Sequence, residues 1–300
     1  YEGESLYNYL QVEETEDSII LSTNVAFGVQ SIYKKDGSLS GYYYEYALMA
    51  PYFIKDMSPE KKLDVLVLGL GTGTFPKQLK KYIPNVTVDA VEIDAKIADL
   101  ATKYFNLKEE EANVYINDGR SFFSTSDAKQ YDIILADAYQ DITVPFHMST
   151  REFFQIVKEH LKPGGILIVN VNMKSGSFTG VPEYLANTVK SLFNRVYRAD
   201  LTQVTNSLLF VSDDQNMIEN YKNNINAQIK KDHDLYYISK FIEENLVEMT
   251  DDSLVLTDDL APVEILGQRA LTEIVKTEVA NARKYFEGKS LKEIYEYITQ

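Results

Sequence analysis

A chain of 300 residues, 45% hydrophobic and 25% charged, is long enough for one large domain or two modest ones with a real core. Its net charge of −15 argues against nucleic acid, which needs clustered Lys and Arg, and fits either a cationic small substrate or plain solubility. The absence of cysteine excludes disulfides and thiolate chemistry, and three histidines, His147, His160 and His233, argue against a histidine-rich metal site, so no metal is expected.

The first fifty residues are β-leaning. Residues 9–13, 18–22 and 25–33 are short runs rich in Thr, Val, Ile and Tyr. Lys35-Asp36-Gly37 reads as a turn between strands, so a small antiparallel β-unit is expected. Residues 43–53 have helical spacing. From residue 63 to about 212 strands and helices alternate, which implies a mostly parallel sheet covered on both faces. Strands are expected at 65–68, 86–92, 114–116, 133–136 and 166–171, with a further pair near 194–198 and 208–211. Lys162-Pro163-Gly164-Gly165 is expected to end a helix over 150–161. Residues 215–300 are polar and largely helical; 221–231 reads as a solvated helix face and 290–298 as a final amphipathic helix. The division expected is 1–50, 51–213 and 214–300. No run of about 18 apolar residues and no signal peptide is visible.

The segment 63–94 is the most informative. An apolar run leads into Gly69, Gly71 and Gly73, a helix-like stretch follows, and a second apolar run ends in Glu92 and Asp94. Glycines let backbone N–H groups approach a ligand at a helix start, and an acid about 20 residues on can accept both hydroxyls of a ribose. The G-x-G-x-G spacing departs from the dinucleotide pattern G-x-G-x-x-G and looks more like S-adenosylmethionine-type enzymes. Asp118, after the third strand, either accepts the amino group of adenine or caps the next helix, and Gly119 permits close approach. Asp94 reads as a helix cap. Asp137 ends the fourth strand, where a carboxylate can hold and deprotonate an attacking amine, or serve as a turn residue. Asp141 offers a second carboxylate in the same loop, and His147 reads as a loop histidine.

On these residues the chain resembles the spermidine synthase family, the polyamine aminopropyltransferases, over roughly residues 5 to 212. The family's opening Ser-x-Tyr-Gln-x-Ile strand is approached by Ser5-Leu6-Tyr7-Asn8-Tyr9-Leu10, and its Val-Glu-Ile-Asp is present as Val91-Glu92-Ile93-Asp94. Asp118-Gly119 matches its Asp-Gly, and Asp137 with Asp141 approaches its catalytic Asp-x-x-Asp-Pro loop. Gln30 matches a glutamine of its β-unit, and Tyr43-Tyr44-Glu45 its Tyr-His-Glu segment, with Tyr44 in place of histidine. Where its glycine turn reads Gly-Gly-Gly-Asp-Gly-Gly, this chain has Gly69-Leu70-Gly71-Thr72-Gly73-Thr74. The family's aspartate lies near the aminopropyl ammonium and repels a carboxylate; Thr72 carries no charge.

The resemblance implies a Rossmann-like class I methyltransferase fold, α/β, with an N-terminal antiparallel β-unit and a helical C-terminal extension. It implies aminopropyl transfer from decarboxylated S-adenosylmethionine to an amine such as putrescine. Asp137, Asp141 and Tyr43 are then the catalytic candidates, and Gly69, Gly71, Thr72, Gly73, Glu92, Asp118, Gly119 and Gln30 the cofactor-binding ones. The alternatives are methyl or aminocarboxypropyl transfer from intact S-adenosylmethionine, or a non-catalytic nucleoside-binding domain of a larger membrane-tethered protein. Residues 256–264 look like a segment of spermidine-synthase-like domains fused to transporter-type membrane segments. A cytoplasmic enzyme is expected, or else a domain anchored by a membrane span upstream of Tyr1; a homodimer is compatible with either.

Overall fold

The computed structural model describes residues 1–24, 29–125, 129–138, 144–172, 180–202, 204, 206–250 and 254–287. Among them the strands form two sheets. β1 (Glu2–Glu4), β2 (Tyr9–Glu14), β3 (Ser18–Thr23) and β4 (Val29–Lys34) make an antiparallel meander in sequence order. β1 is an addition to the expected strands. The turn at Lys35–Gly37 closes β4, with Gly37 at φ 72°, but leads into a helix rather than another strand. That helix, α1 (Tyr43–Tyr46), tightens at once into a 3₁₀ segment, Ala47–Phe53. Pro51 lies inside the segment; it lacks the N–H that an α-helix would use, which is why the helical spacing does not yield one continuous helix.

The second sheet begins with β5 (Leu63–Leu68), α2 (Thr74–Tyr82), β6 (Val86–Glu92), α3 (Ala95–Phe105), β7 (Asn113–Ile116) and α4 (Gly119–Phe122). β8 (Tyr131–Ala136), α5 (Arg151–Glu159), β9 (Leu161–Val171) and α6 (Val181–Lys190) follow. β10 (Arg195–Asp200), β11 (Ser207–Ser212), α7 (Met217–Gln228), α8 (Tyr236–Asn245), β12 (Val247–Glu248) and α9 (Val263–Phe286) complete it. The strand order is β12-β10-β11-β9-β8-β5-β6-β7. β5 to β9 pair in parallel, while β11, β10 and β12 are added antiparallel. The chain winds outward from β5 through β6 and β7, then returns to β8 on the other side. The crevice at the carboxyl ends of β5 and β8 is the topological switch point where such sheets bind ligands.

Both sheet faces are buried, which explains the unbroken apolar runs of β5. Val65 and Val67 face one core with Phe53, Phe210 and Tyr221; Leu66 and Leu68 face the other with Phe153, Phe154 and Leu185. A third cluster joins Leu10, Val12, Ile19 and Leu21 of the meander to Ile97, Leu100 and Phe105 of α3, seating the meander beside the crevice.

Two expectations are corrected. The stretch 162–165 does not end a helix: α5 stops at Glu159, and β9 already begins at Leu161. Gly164 at φ 74° and a register shift between β8 and β9 make the Pro-Gly-Gly stretch an irregularity within the strand. The solvated face expected over 221–231 is only half of the element: Lys222, Asn223, Asn226 and Ala227 are exposed, while Tyr221, Asn224 and Ile225 are buried on the other side. Tyr221 stacks on Phe53 at 4.2 Å between ring centroids, and Asn224 Nδ2 donates to the carbonyls of Tyr52 and Ile54, both at 2.8 Å. The reason is the 3₁₀ segment, whose unpaired carbonyls and aromatic rings need a partner. The final helix expected at 290–298 lies outside the described residues. Among those described, no helix is long and apolar enough to cross a membrane.

Candidate active site

The crevice at the switch point opens into a cavity of about 730 Å³, roofed by β4 and α1 and within the usual size of small-molecule sites. Gly69, Gly71, Thr72, Glu92, Asp118, Gly119, Asp137, Tyr43 and Gln30 all line it. Asp141 lies outside the described residues. Gly73 caps α2 in the left-handed conformation and packs on Leu107 rather than lining the cavity; a Cβ there would sit 2.7 Å from Leu107 Cδ1.

The glycine turn serves the fold before any ligand. Gly69 has φ 101°, and a side chain there would strike the Asp137 carbonyl at 2.2 Å. The N–H groups of Gly69 and Leu70 donate to Val91 O at 2.9 and 3.0 Å, and that of Gly71 to Glu92 Oε2 at 3.0 Å. These N–H groups were expected to face a ligand; their bonds to β6 instead hold the turn against Glu92. Glu92 Oε1 accepts the N–H of Asp94 at 3.0 Å. Each Glu92 oxygen thus keeps acceptor capacity for a diol. Burial pushes the Glu92 carboxyl up to about 7 against those two bonds.

Asp94 caps α3 through the Lys96 N–H, and its other oxygen takes Ser5 Oγ at 2.5 Å and Asn8 Nδ2 at 3.1 Å. The Ser-x-Tyr-Asn stretch is therefore tied to the strand that carries Glu92. Asp118 both caps and lines the cavity. Its Oδ1 accepts the N–H groups of Arg120 and Ser121, and its Oδ2 lies 2.9 Å from His147 Nε2. Burial opposes ionisation, but the Ser121 N–H and His147 outweigh it and hold the Asp118 carboxyl below its ordinary range. Gly119 packs on Met148, whose Cε would lie 2.7 Å from a Cβ and would have to move aside.

Asp137, just past β8, receives Asn170 Nδ2 on Oδ1 at 2.7 Å and the Tyr43 hydroxyl on Oδ2 at 3.1 Å. Burial pushes its carboxyl up to about 7; the two donors pull it down and Glu92 adds a little repulsion. Burial, with Asp137 beside it, holds the Tyr43 phenol well above its ordinary value, so it stays a donor. Tyr44 turns away, giving its hydroxyl to Ile32 O at 2.5 Å and accepting the Ile32 N–H. Glu45, fully buried, accepts from Ser40, Gly41 and Gln78. Thr72 stands in a hydroxyl cluster, 2.5 Å from Ser31 Oγ and 2.9 Å from Thr74 Oγ1.

Sequence reasoning missed four participants. Asn170 is the one polar residue in an apolar parallel strand near its carboxyl end, a signal that was there to be read. His147 gave no sign of pairing with Asp118. Asn206, in the cavity wall, comes from a segment with no motif, and Glu264, also in the wall, ends the 256–264 segment, to which no ligand role was given. Glu264 is carried by a tail segment that Arg120 clamps through two 2.7 Å bonds to Asp258. The wall so assembled holds four carboxylates (Glu92, Asp118, Asp137 and Glu264) and, among the described residues, neither Lys nor Arg.

A methyltransferase-like α/β sheet with an N-terminal β-meander, and carboxylates after its second, third and fourth parallel strands, defines a class of nucleoside-binding transferase folds. Within that class the chain belongs to the spermine/spermidine synthase family, whose domain matches residues 51–200. It is 42% identical over 303 residues to a probable polyamine aminopropyl transferase of Bifidobacterium longum, covering 95% of this chain and 66% of that protein. A probable spermidine synthase from Corynebacterium glutamicum superposes with a TM-score of 0.63 at 20% identity, over 80% of this chain and 92% of that one. A spermidine synthase in complex with the transition-state analogue AdoDATO gives 0.59 at 18% identity, over 77% and 78%. At these identities the two structures establish the fold.

Proposed function

We propose that the protein transfers an aminopropyl group from decarboxylated S-adenosylmethionine to an amine acceptor such as putrescine. The observation that carries this reading is Asp137, a carboxylate held by two donors in a cavity that supplies carboxylates and, among the described residues, no Lys or Arg, in a chain of the spermine/spermidine synthase family. Support comes also from the polyamine aminopropyl transferase relative and from the AdoDATO complex of a structural neighbour.

The cavity fits a cationic nucleoside. Glu92 is placed to accept the ribose hydroxyls, and Asp118 with Gly119 to bound the base. Gln30 and Thr72 face the donor from the roof and the glycine turn. The sulfonium donor supplies an electrophilic carbon and a neutral thioether leaving group. Asp137 accepts a proton from the acceptor ammonium, exposing the nitrogen lone pair; the N–C bond forms as the C–S bond breaks and its electron pair goes to sulfur. Tyr43 and Asn170 hold the carboxylate during this step. Its proton then passes to solvent. Glu264, at the far wall, suits the second ammonium of a diamine.

One observation favours a second reading. Thr72 carries no charge, so nothing at that position repels the carboxylate of intact S-adenosylmethionine, which would allow methyl or aminocarboxypropyl transfer. Calorimetry with the decarboxylated donor, the intact donor and methylthioadenosine, followed by product analysis with putrescine, separates the readings. Tighter binding of the decarboxylated donor and formation of spermidine are expected. Preference for the intact donor would replace aminopropyl transfer by the second reading, and binding of none of the three would refute both.

A further inference from the structure

Asp137 Oδ1 accepts one hydrogen bond from a side chain whose orientation is not self-evident, because an asparagine amide can present either its NH₂ or its oxygen. If Asn170 presented its oxygen, two acceptors would meet at 2.7 Å and a proton would be forced onto Asp137. The buried neighbourhood decides the matter. Asn206 Nδ2 donates to Asn170 Oδ1 at 3.0 Å and to Asn172 Oδ1 at 3.2 Å. Turning Asn206 over would set its own oxygen against both acceptors. Asn170 and Asn206 are 2% and 5% exposed, so water cannot take over either bond cheaply. The backbone around Asn206 is fixed too: its carbonyl accepts the Leu201 N–H at 3.0 Å, and the next residue, Ser207, starts β11 in register with Val171.

We propose that Asn206 is a positioning residue for Asp137: by donating to Asn170 it fixes the Asn170 NH₂ toward the carboxylate and keeps Asp137 in the proton-accepting form. Asn206 touches neither Asp137 nor the reacting atoms. Among the described residues, the groups facing Asp137 are Asn170 from β9, Tyr42 and Tyr43 at the start of α1, and the Glu92 carboxylate from β6. None of these is a cation. The two neutral donors therefore hold the anion, and only the asparagine has a polarity that another residue must set. The inference rests on Asp137 being the proton acceptor.

The test reads Asp137 directly. In protein labelled with [γ-¹³C]aspartate, the Asp137 resonance is assigned by its loss in Asp137→Asn and titrated in the wild type and in Asn206→Leu. Leucine keeps the volume and removes both donors. The titration midpoint is expected to rise by about one pH unit, since one charge-assisted hydrogen bond accounts for a change of that size. The acid limb of the kcat/KM profile should move with it, while methylthioadenosine affinity stays within about twofold of wild type. Asn206→Asp is the second variant: it accepts where asparagine donates, turns Asn170 over, and should raise the midpoint at least as far. An unchanged midpoint in a folded variant would overturn the proposal. The titration needs no turnover, so a protein that transferred no aminopropyl group would refute the proposed function and leave this measurement readable.

Discussion

Replacing Asp137 by Asn should stabilise the protein, and by an amount that depends on pH. Burial lifts this carboxyl from 3.8 to about 7 in the folded chain. Between those values the folded state binds more protons than the unfolded state, so stability falls as pH rises through the window and stays low above it. A shift of about three pH units corresponds to roughly 4 kcal/mol at pH 8 as an upper bound. The introduced amide would be neutral but imperfect: its oxygen can still accept from Asn170, while its NH₂ faces the Tyr43 hydroxyl, a mismatch of about 1–2 kcal/mol. The net expectation is about 2 kcal/mol in favour of the variant at pH 8, or roughly 4 °C in Tm for a chain of this size. At pH 4 the advantage should be gone. Urea unfolding at both pH values measures it. A variant no more stable than wild type at pH 8, or equally improved at pH 4, would refute the burial argument.

The same substitution should lower turnover at least a hundredfold with little change in affinity for the uncharged methylthioadenosine, read by steady-state kinetics and calorimetry. In the wild type, kcat/KM should fall below about pH 7 as Asp137 becomes protonated, and a flat profile from pH 6 to 8 would remove it from the mechanism. Glu92→Gln should weaken methylthioadenosine binding by about tenfold or more, since the diol loses a charged acceptor and the NH₂ that replaces one oxygen cannot accept the Gly71 or Asp94 N–H it then faces. Glu264→Gln should raise the KM for a diamine while leaving that for a monoamine of equal length unchanged; equal effects on both would exclude a role at the second ammonium.

Much of the fold was legible because period and punctuation agreed. Val65, Leu66, Val67 and Leu68 could only be a strand buried on both faces, and Gly69 follows where a side chain would collide with the Asp137 backbone. Glu92, Asp118 and Asp137 could be placed because each closes a parallel strand. Irregular backbone was less readable. Nothing local says that 162–165 stays within a strand, or that a Pro-bearing 3₁₀ segment will recruit Asn224 to its carbonyls. The remaining site residues are long-range. Asn206 acquires meaning only when β11 is laid beside β9, and Glu264 only when Asp258 finds Arg120.

The charge balance of the cavity ties the proton chemistry to ligand choice. Four carboxylates share one wall, two of them are pushed up to about 7, and no Lys or Arg among the described residues offsets them. The missing positive charge has to arrive with the ligands, as a sulfonium and as ammonium groups. A cation entering near Glu92 and Asp137 favours their ionised forms, so it must displace protons from whichever of them is still protonated. Binding of the decarboxylated donor near pH 7 should therefore release a fraction of a proton per site, and affinity should fall as pH is lowered from 8 to 6. Calorimetry in buffers of different ionisation enthalpy counts the protons. Methylthioadenosine, which has the nucleoside but no charge, is the control and should release fewer. Equal release for the two compounds would show that the carboxylates answer to hydrogen bonds from the nucleoside hydroxyls, and that cation recognition lies elsewhere.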